Sequence, residues 1–327
     1  MTEVLLSQLA HVEVFSPRPD DTVRWFTDTL GLEETTRDGR SVYLRGWGEW
    51  LHHSVQVTEG DQPGMGRAGW RTQGPDDVAT IAERVESSGI RGEWFDDLAG
   101  QGRTFRFRAP GGHLQEVFWE AERYQAPPQL RTDMPDRPQK YRPRGAAVRY
   151  IDHVTIGTDG IDRDVEFYKS HLGHRHTARV VPELGSDMTV FSTLTTNHSG
   201  HDLGLVPDFS GVGGRINHVA FWVDQRCDVL RAADVFLGDD TLIEFGPGVH
   251  GIGEITYLYV REPGGLRIEL NSGGYRNFLP DWEPATWTPD LGSVSFYRNL
   301  GMPESMMESF PPAAINIDEL KRTNQFA

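Results

Sequence analysis

The two halves of this chain repeat one pattern, and that duplication restricts the fold more than any single motif. Residues 8–14 (QLAHVEV) open the first half and residues 150–156 (YIDHVTI) the second, each a strand by its period of two. Each leads into an amphipathic helix that stops at Leu-Gly, over residues 21–31 (DTVRWFTDTLG) and 162–173 (DRDVEFYKSHLG). The halves also close alike. Residues 105–118 (FRFRAPGGHLQEVF) and 257–270 (YLYVREPGGLRIEL) are hairpins turning at Pro-Gly-Gly, with Glu116 and Glu269 in matching places. Between these landmarks, residues 69–85 parallel residues 220–236 as a further strand and helix. The predicted fold is therefore α+β, with four βαβββ modules paired into two similar domains.

The Pro- and Arg-rich residues 126–145 have neither hydrophobic period and form the connection between the halves. The expected division is a first domain over 1–125, a linker over 126–148, a second domain over 149–282 and a tail over 283–327. Residues 303–327 are polar and interrupted by proline, a stretch expected either to wrap a neighbouring subunit or to stay disordered.

Charge and composition remove several classes of function. The 48 Asp and Glu against 32 Lys and Arg give a formal net charge of −16. Nucleic acid and anionic lipid both select clustered cations, so neither is an expected partner. No run of 18 apolar residues is present, which excludes a membrane-spanning helix. Met1-Thr2-Glu3-Val4 lacks the basic and apolar segments of a signal peptide, and the single cysteine, Cys227, fits a reducing compartment. The expected setting is cytoplasmic.

Twelve histidines are the richest source of chemistry in the chain. His171, His174 and His176 follow an exposed helix and His113 adjoins a turn, so these four are expected in solvent. His153 and His218 instead lie in the opening strands of the two modules of the second half, and Glu269 lies in its last strand. Alternation puts Ile268 and Leu270 on one face of that strand and Arg267 and Glu269 on the other. Singly, each is an ordinary buried polar group. At three equivalent strand positions on the wall of a cup, they form a two-histidine, one-carboxylate set that binds a metal and leaves three cis positions open. A three-residue turn at Pro263-Gly264-Gly265 sets Tyr259 directly opposite Glu269, a register that one bulge would break.

His153, His218 and Glu269, with His201, His250 and Tyr259 at their spacings, resemble the type I extradiol catechol dioxygenases of the vicinal oxygen chelate superfamily. The resemblance covers nearly the whole chain, including residues 280–291 (PDWEPATWTPDL) and Phe296-Tyr297. It implies Fe(II), or else Mn(II), held by His153, His218 and Glu269, with O2 as co-substrate. It implies that a catechol binds the same ion and is opened beside its two hydroxyls, giving a 2-hydroxymuconic semialdehyde. It implies that His201 stands over the dioxygen site and moves protons, with His198 as its rival. His250 and Tyr259 are implied to bond the catechol oxygens. In the first half His11 and Glu116 match His153 and Glu269, but Arg67 matches His218, and arginine cannot ligate a metal. That half is expected to be metal-free, with a structural and oligomeric role, and the family implies a homo-oligomer, usually a tetramer.

Family members that take homoprotocatechuate, which bears a carboxylate, carry an arginine five residues before the loop histidine. Here that residue is Phe245, so a neutral or alkyl catechol is expected unless Arg298 or Arg276 supplies a charge. Phe191, Phe245 and Trp287 are candidates to line the pocket. A glyoxalase-like enzyme of the same fold, which lacks the set of His201, His250 and Tyr259, is one alternative; a metal-free drug-binding module is the other, and retention of all three ligands and a proton donor argues against it.

Overall fold

The computed structural model describes residues 3–296 and 302–311, and in it the duplication extends to all four modules. The first module is β1 (Leu6–Ser16), α1 (Pro19–Arg24, continued by a π-helix over Trp25–Leu30), β2 (Glu33–Asp38), β3 (Ser41–Arg45) and β4 (Val55–Glu59). The second is β5 (Gly64–Thr72), α2 (Asp77–Ser87), β6 (Gly92–Phe95), β7 (Thr104–Arg108) and β8 (Leu114–Phe118). The third is β9 (Tyr150–Thr158), α3 (Ile161–Leu172), β10 (Arg175–Val180), β11 (Phe191–Thr195) and β12 (Leu203–Pro207). The fourth is β13 (Arg215–Trp222), α4 (Arg226–Gly238), β14 (Ile243–Val249), β15 (Ile255–Arg261) and β16 (Arg267–Gly273).

In each half the opening strands of the two modules pair antiparallel and join them into one sheet. The orders are β2-β3-β4-β1-β5-β8-β7-β6 and β14-β15-β16-β13-β9-β12-β11-β10, the second extended at its edge by β17 (Ala285–Trp287). The expected tail thus begins as a strand of the second sheet, parallel to β10.

The helices form where apolar residues recur every three or four positions. Ile161, Val165, Tyr168 and Leu172 make the buried stripe of α3, and Val229, Ala232, Ala233 and Phe236 that of α4. The first helical segment and α3 both end at a left-handed glycine, Gly31 (φ 92°) and Gly173 (φ 79°), a conformation that would strain a residue bearing a Cβ. One apolar cluster runs through both halves. Trp25 stacks on Phe236 with ring centroids 5.8 Å apart, and Phe107 meets Phe167 at 6.1 Å. Burial of this seam fixes one half against the other.

Two histidines expected in solvent are buried in it. His174 is fully enclosed between Trp70 and Tyr168, at 4.8 and 5.3 Å between ring centroids. His113 is 1% exposed, with Nε2 2.8 Å from the Arg215 carbonyl oxygen. Both sit where the halves meet, and a reading of each half alone counts that surface as solvent. His171 and His176 are both half-buried, His171 stacked on Phe167 with ring centroids 4.7 Å apart, so none of the four stands fully in solvent. Residues 126–148 contain no regular element but pack on the first half: Arg45 donates to the buried Gln139 at 2.8 Å, and Ala146 and Val148 join the core.

The first half carries an ion-pair cage where the second carries its histidine pair. Arg67 bonds Glu13 and lies 3.0 Å from Glu116, which His11 and Arg106 also reach, at 2.8 and 2.7 Å. The guanidinium supplies the positive charge at this position, and the carboxylates are spent on it. Arg67→Ala leaves Glu13 and Glu116 with too little positive charge and should cost about 3 kcal/mol, read as a lowered midpoint in urea.

Candidate active site

Four neighbouring strands of the second sheet, β15, β16, β13 and β9, each present a site residue on the face turned away from the core. Tyr259 lies directly opposite Glu269, as the three-residue turn requires, so a phenol is held beside that carboxylate. His153 Nε2 and His218 Nε2 are 3.1 Å apart, and each is 3.1 Å from Glu269 Oε2. All three side chains are buried. Glu269 Oε2 has no aligned hydrogen-bond partner despite its two near neighbours.

Those distances fit a shared cation. Three donors on one octahedral face, each about 2.1 Å from the ion, stand about 3 Å apart. Both imidazoles also show the required tautomer. His153 Nδ1–H donates to Asp152 at 2.8 Å and His218 Nδ1–H to the Asn217 side-chain oxygen at 2.8 Å, so both Nε2 atoms are the ones aimed at Glu269, and an arriving cation would replace the proton that His153 holds there. Burial raises the Glu269 carboxyl, but His153 and His218 hold it well below the usual carboxylate range. Burial lowers the His218 imidazole to about 4, whereas for His153 it is outweighed by Glu269 and Asp152, which raise that ring to about 9. The cluster therefore attracts one positive charge to its centre. Among the described residues this is the group whose ligand atoms converge for a metal.

Asp152 and Asn217 escaped the sequence reading because each sits at a β-bulge. His153 pairs with Ala220 and Ile151 with Phe221, leaving Asp152 extra; Ile216 pairs with Ile156 and His218 with Thr155, leaving Asn217 extra. Strict alternation turns the residue before a histidine to the opposite face. The bulges reverse the parity, so that Ile151 and Val154 both reach the core, as do Ile216 and Val219. Removing either support, by Asp152→Ala or Asn217→Ala, should weaken metal affinity roughly 10- to 100-fold with the fold intact, read by competition with a chelator.

The other expected residues surround the same centre. The His201 ring lies 4.1 Å from that of His153, and burial keeps its imidazole well below the ordinary value, hence neutral. His198 lies apart, its Nδ1 3.2 Å from the Asn277 carbonyl and its ring against Phe278. His250 donates Nδ1–H to the Val294 carbonyl, leaving Nε2 3.1 Å from the Tyr259 hydroxyl. Burial lowers the His250 imidazole, and burial with the nearby Glu269 charge holds the Tyr259 phenol protonated. The loop carrying His250 is fastened to residues 292–294 by Gly251 N–H to Gly292 and Ile252 N–H to Ser293, both at 3.2 Å. A Cβ on Gly251 would overlap the Gly292 carbonyl, so glycine permits this approach.

A cavity of about 430 Å³ opens from this centre. Phe191 lines it, Phe245 packs behind on Tyr257 and Tyr259, and Trp287 belongs to the edge strand. His201, Gly200, Ile255 and Tyr275 line both this cavity and a second chamber of about 630 Å³, whose mixed polar and apolar walls include Asp152, His198 and Arg276. Arg298, the other cation considered for substrate charge, lies outside the described residues.

Residues 302–311 form one wall of this cavity. Arg267 donates to the Ser305 and Glu308 carbonyls at 2.5 and 2.9 Å, and Phe310 exchanges backbone hydrogen bonds with Ile216 at 2.6 and 2.8 Å. The rest of the expected polar stretch, 312–327, lies outside the described residues. Arg267 is held by Glu244, which burial raises but Arg267 and Arg261 bring down to about 2. A carboxyl lowered from 4.5 contributes stability that is present above pH 4.5 and lost as the pH falls toward 2. The difference in melting temperature between the wild type and Glu244→Gln should therefore shrink across that window.

The comparisons with known proteins agree on the fold and the family. The family model for the Glyoxalase/Bleomycin resistance protein/Dioxygenase superfamily matches residues 8–117 and 150–270. The chain is 36% identical to the manganese-dependent 2,3-dihydroxybiphenyl 1,2-dioxygenase of Geobacillus genomosp. 3, over 86% of this chain and 90% of that one. It is 33% identical to the metapyrocatechase of Geobacillus stearothermophilus, over 86% of each. Homoprotocatechuate 2,3-dioxygenase of Brevibacterium fuscum, solved as the anaerobic complex with 3,4-dihydroxyphenylacetate, superposes with a TM-score of 0.80 at 26% identity, over 92% of this chain and 91% of that one. No helix among the described residues is long and apolar enough to cross a membrane. The duplicated sheets, the clustered histidines and carboxylate, and these relatives together show that the chain belongs to the glyoxalase/bleomycin resistance protein/dioxygenase superfamily, within its extradiol dioxygenase branch.

Proposed function

We propose that the chain is an extradiol dioxygenase that binds a catechol and O2 at a divalent metal held by His153, His218 and Glu269, and opens the ring beside the diol. The observation that carries this reading is the convergence of that metal set with His201, His250 and Tyr259 around one apolar cavity. When bound, the metal supplies adjacent open positions for both reactants and a route for electrons between them.

The protein's own residues hold the substrate and move its protons. Tyr259, a protonated phenol opposite Glu269, donates a hydrogen bond to a catechol oxygen. His250, fixed through Nδ1–H, has a bare Nε2 that accepts from the Tyr259 hydroxyl at 3.1 Å and, once that hydroxyl turns to the substrate, accepts from the second catechol hydroxyl. His201, neutral and beside the His153 ring, accepts a catechol proton and returns it to the departing oxygen. The apolar walls exclude water from the reacting atoms. The first half takes no metal, because Arg67 already neutralises its carboxylates.

Fe(II) is the proposed ion, and Mn(II) is the second reading because the 36%-identical relative is described as manganese-dependent. Metal-free protein reloaded with each ion separates them: catechol-dependent O2 uptake with Fe(II), at a rate tenfold or more above that with Mn(II), supports iron, and the reverse supports manganese. A homo-oligomer, by family expectation a tetramer, and a cytoplasmic setting consistent with the one exposed cysteine complete the proposal.

A further inference from the structure

We propose that Asn217 is a positioning residue that links the metal to a wall of the substrate cavity. Its side chain orients His218 and holds residues 302–311 at the same time, so that loading the metal and docking that segment favour each other. This rests on the metal set of the reading above and adds a conformational consequence.

The two ends of the Asn217 amide have different partners. The side chain is buried, 3% exposed, at the bulge before His218. Its oxygen accepts the His218 Nδ1–H at 2.8 Å, and its NH2 group donates to the Met306 and Glu308 carbonyls at 3.1 and 3.3 Å. Carbonyls only accept, so the docked segment fixes which way round the amide sits. Turned over, the amide would set its oxygen against those two carbonyls and its NH2 group against His218 Nδ1. The imidazole proton would then move to Nε2, facing Glu269, where a metal needs a lone pair. The docked segment therefore selects the metal-binding tautomer of His218. His153 has no such condition, because its support is the Asp152 carboxylate, which accepts through either oxygen.

Other anchors of the segment also lie beside the ligands. Arg215 donates to the Ser309 and Pro311 carbonyls, and Ile216 exchanges backbone hydrogen bonds with Phe310, both just before His218. Arg267, two residues before Glu269, bonds the Asn217 carbonyl at 3.0 Å as well as the Ser305 and Glu308 carbonyls. Met302, Met306 and Met307 of the segment line the cavity, and Met306 packs with Tyr257 and Tyr259. Docking thus walls the substrate space from the same two strands, β13 and β16, that carry His218 and Glu269. Linkage is reciprocal: whatever factor the docked segment adds to metal affinity, the metal adds to docking of the segment.

The test is hydrogen exchange, read by mass spectrometry, on the full chain with and without Fe(II), under argon and without catechol. Loading should slow exchange across 302–311 about tenfold, while α2 in the first half changes by less than about threefold. In Asn217→Asp one oxygen still faces His218 Nδ1–H, as Asp152 does for His153, but the other now faces the Met306 and Glu308 carbonyls. That variant should keep its Fe(II) in competition with a chelator, exchange quickly across 302–311 and lose the metal effect there. Phe310→Ala removes a buried ring that seats the segment in the core, and should weaken Fe(II) binding about three- to tenfold. Bound Fe(II) with unchanged exchange across 302–311, or with an equal slowing in α2, overturns the proposal and leaves the metal reading standing. A protein that binds no Fe(II), or binds it undiminished in Glu269→Ala, fails the metal reading and the proposal with it.

Discussion

Glu269→Ala yields a folded protein that holds no metal and turns over no catechol. The carboxylate is the single anion of the three-ligand set, placed 3.1 Å from both imidazole Nε2 atoms. Its removal leaves two neutral rings facing each other, a pair that binds divalent ions weakly. Metal affinity should fall by about 10³ or more, and kcat below detection, because both reactants lose their common anchor. The fold is expected to survive, since the sheet is held by the apolar face carrying Ile268 and Leu270, which Glu269 does not touch. Metal content by elemental analysis, with circular dichroism as the control for folding, checks both halves of this expectation. Metal bound at wild-type stoichiometry would remove Glu269 from the ligand set.

The second large effect separates binding from chemistry. His201→Phe keeps a ring of similar size beside His153 and leaves the three ligand atoms in place. Metal content should match the wild type, and anaerobic catechol affinity should stay within about threefold. O2 uptake should fall by about 10²- to 10⁴-fold, the usual worth of a positioned proton-transfer group. His198→Phe, at a residue whose ring packs on Phe278, should change the rate by less than about threefold. The opposite pattern, a slow His198 variant beside an active His201 variant, would transfer the proton role to His198.

Much of this was legible because duplication leaves a periodic trace. The four modules, the glycine stops at Gly31 and Gly173 and the register of Tyr259 against Glu269 all follow from local patterns repeated at matching places. What stayed hidden depends on departures from those patterns or on contacts between distant segments. Asp152 and Asn217 act on His153 and His218 only because bulges place each of them beside the ring it supports, and no alternation rule shows a bulge in advance. His113 and His174 look like surface residues until the halves meet. One cavity wall joins Met188 to Met302, Met306 and Met307, more than a hundred residues away, and carbonyl hooks from Arg267, Asn217 and Arg215 with the Phe310–Ile216 backbone pair hold the later segment in place.

The central claim is that a metal held by His153, His218 and Glu269 brings a catechol and O2 together for ring opening. Its most direct test is to load the protein anaerobically with Fe(II), add catechol, admit ¹⁸O2 and follow colour, oxygen uptake and product mass together. The account predicts a yellow semialdehyde, one O2 consumed per ring and both labelled atoms in the product. Demonstrably bound metal without oxygen uptake, or a colourless product opened between the two hydroxyls, would contradict it.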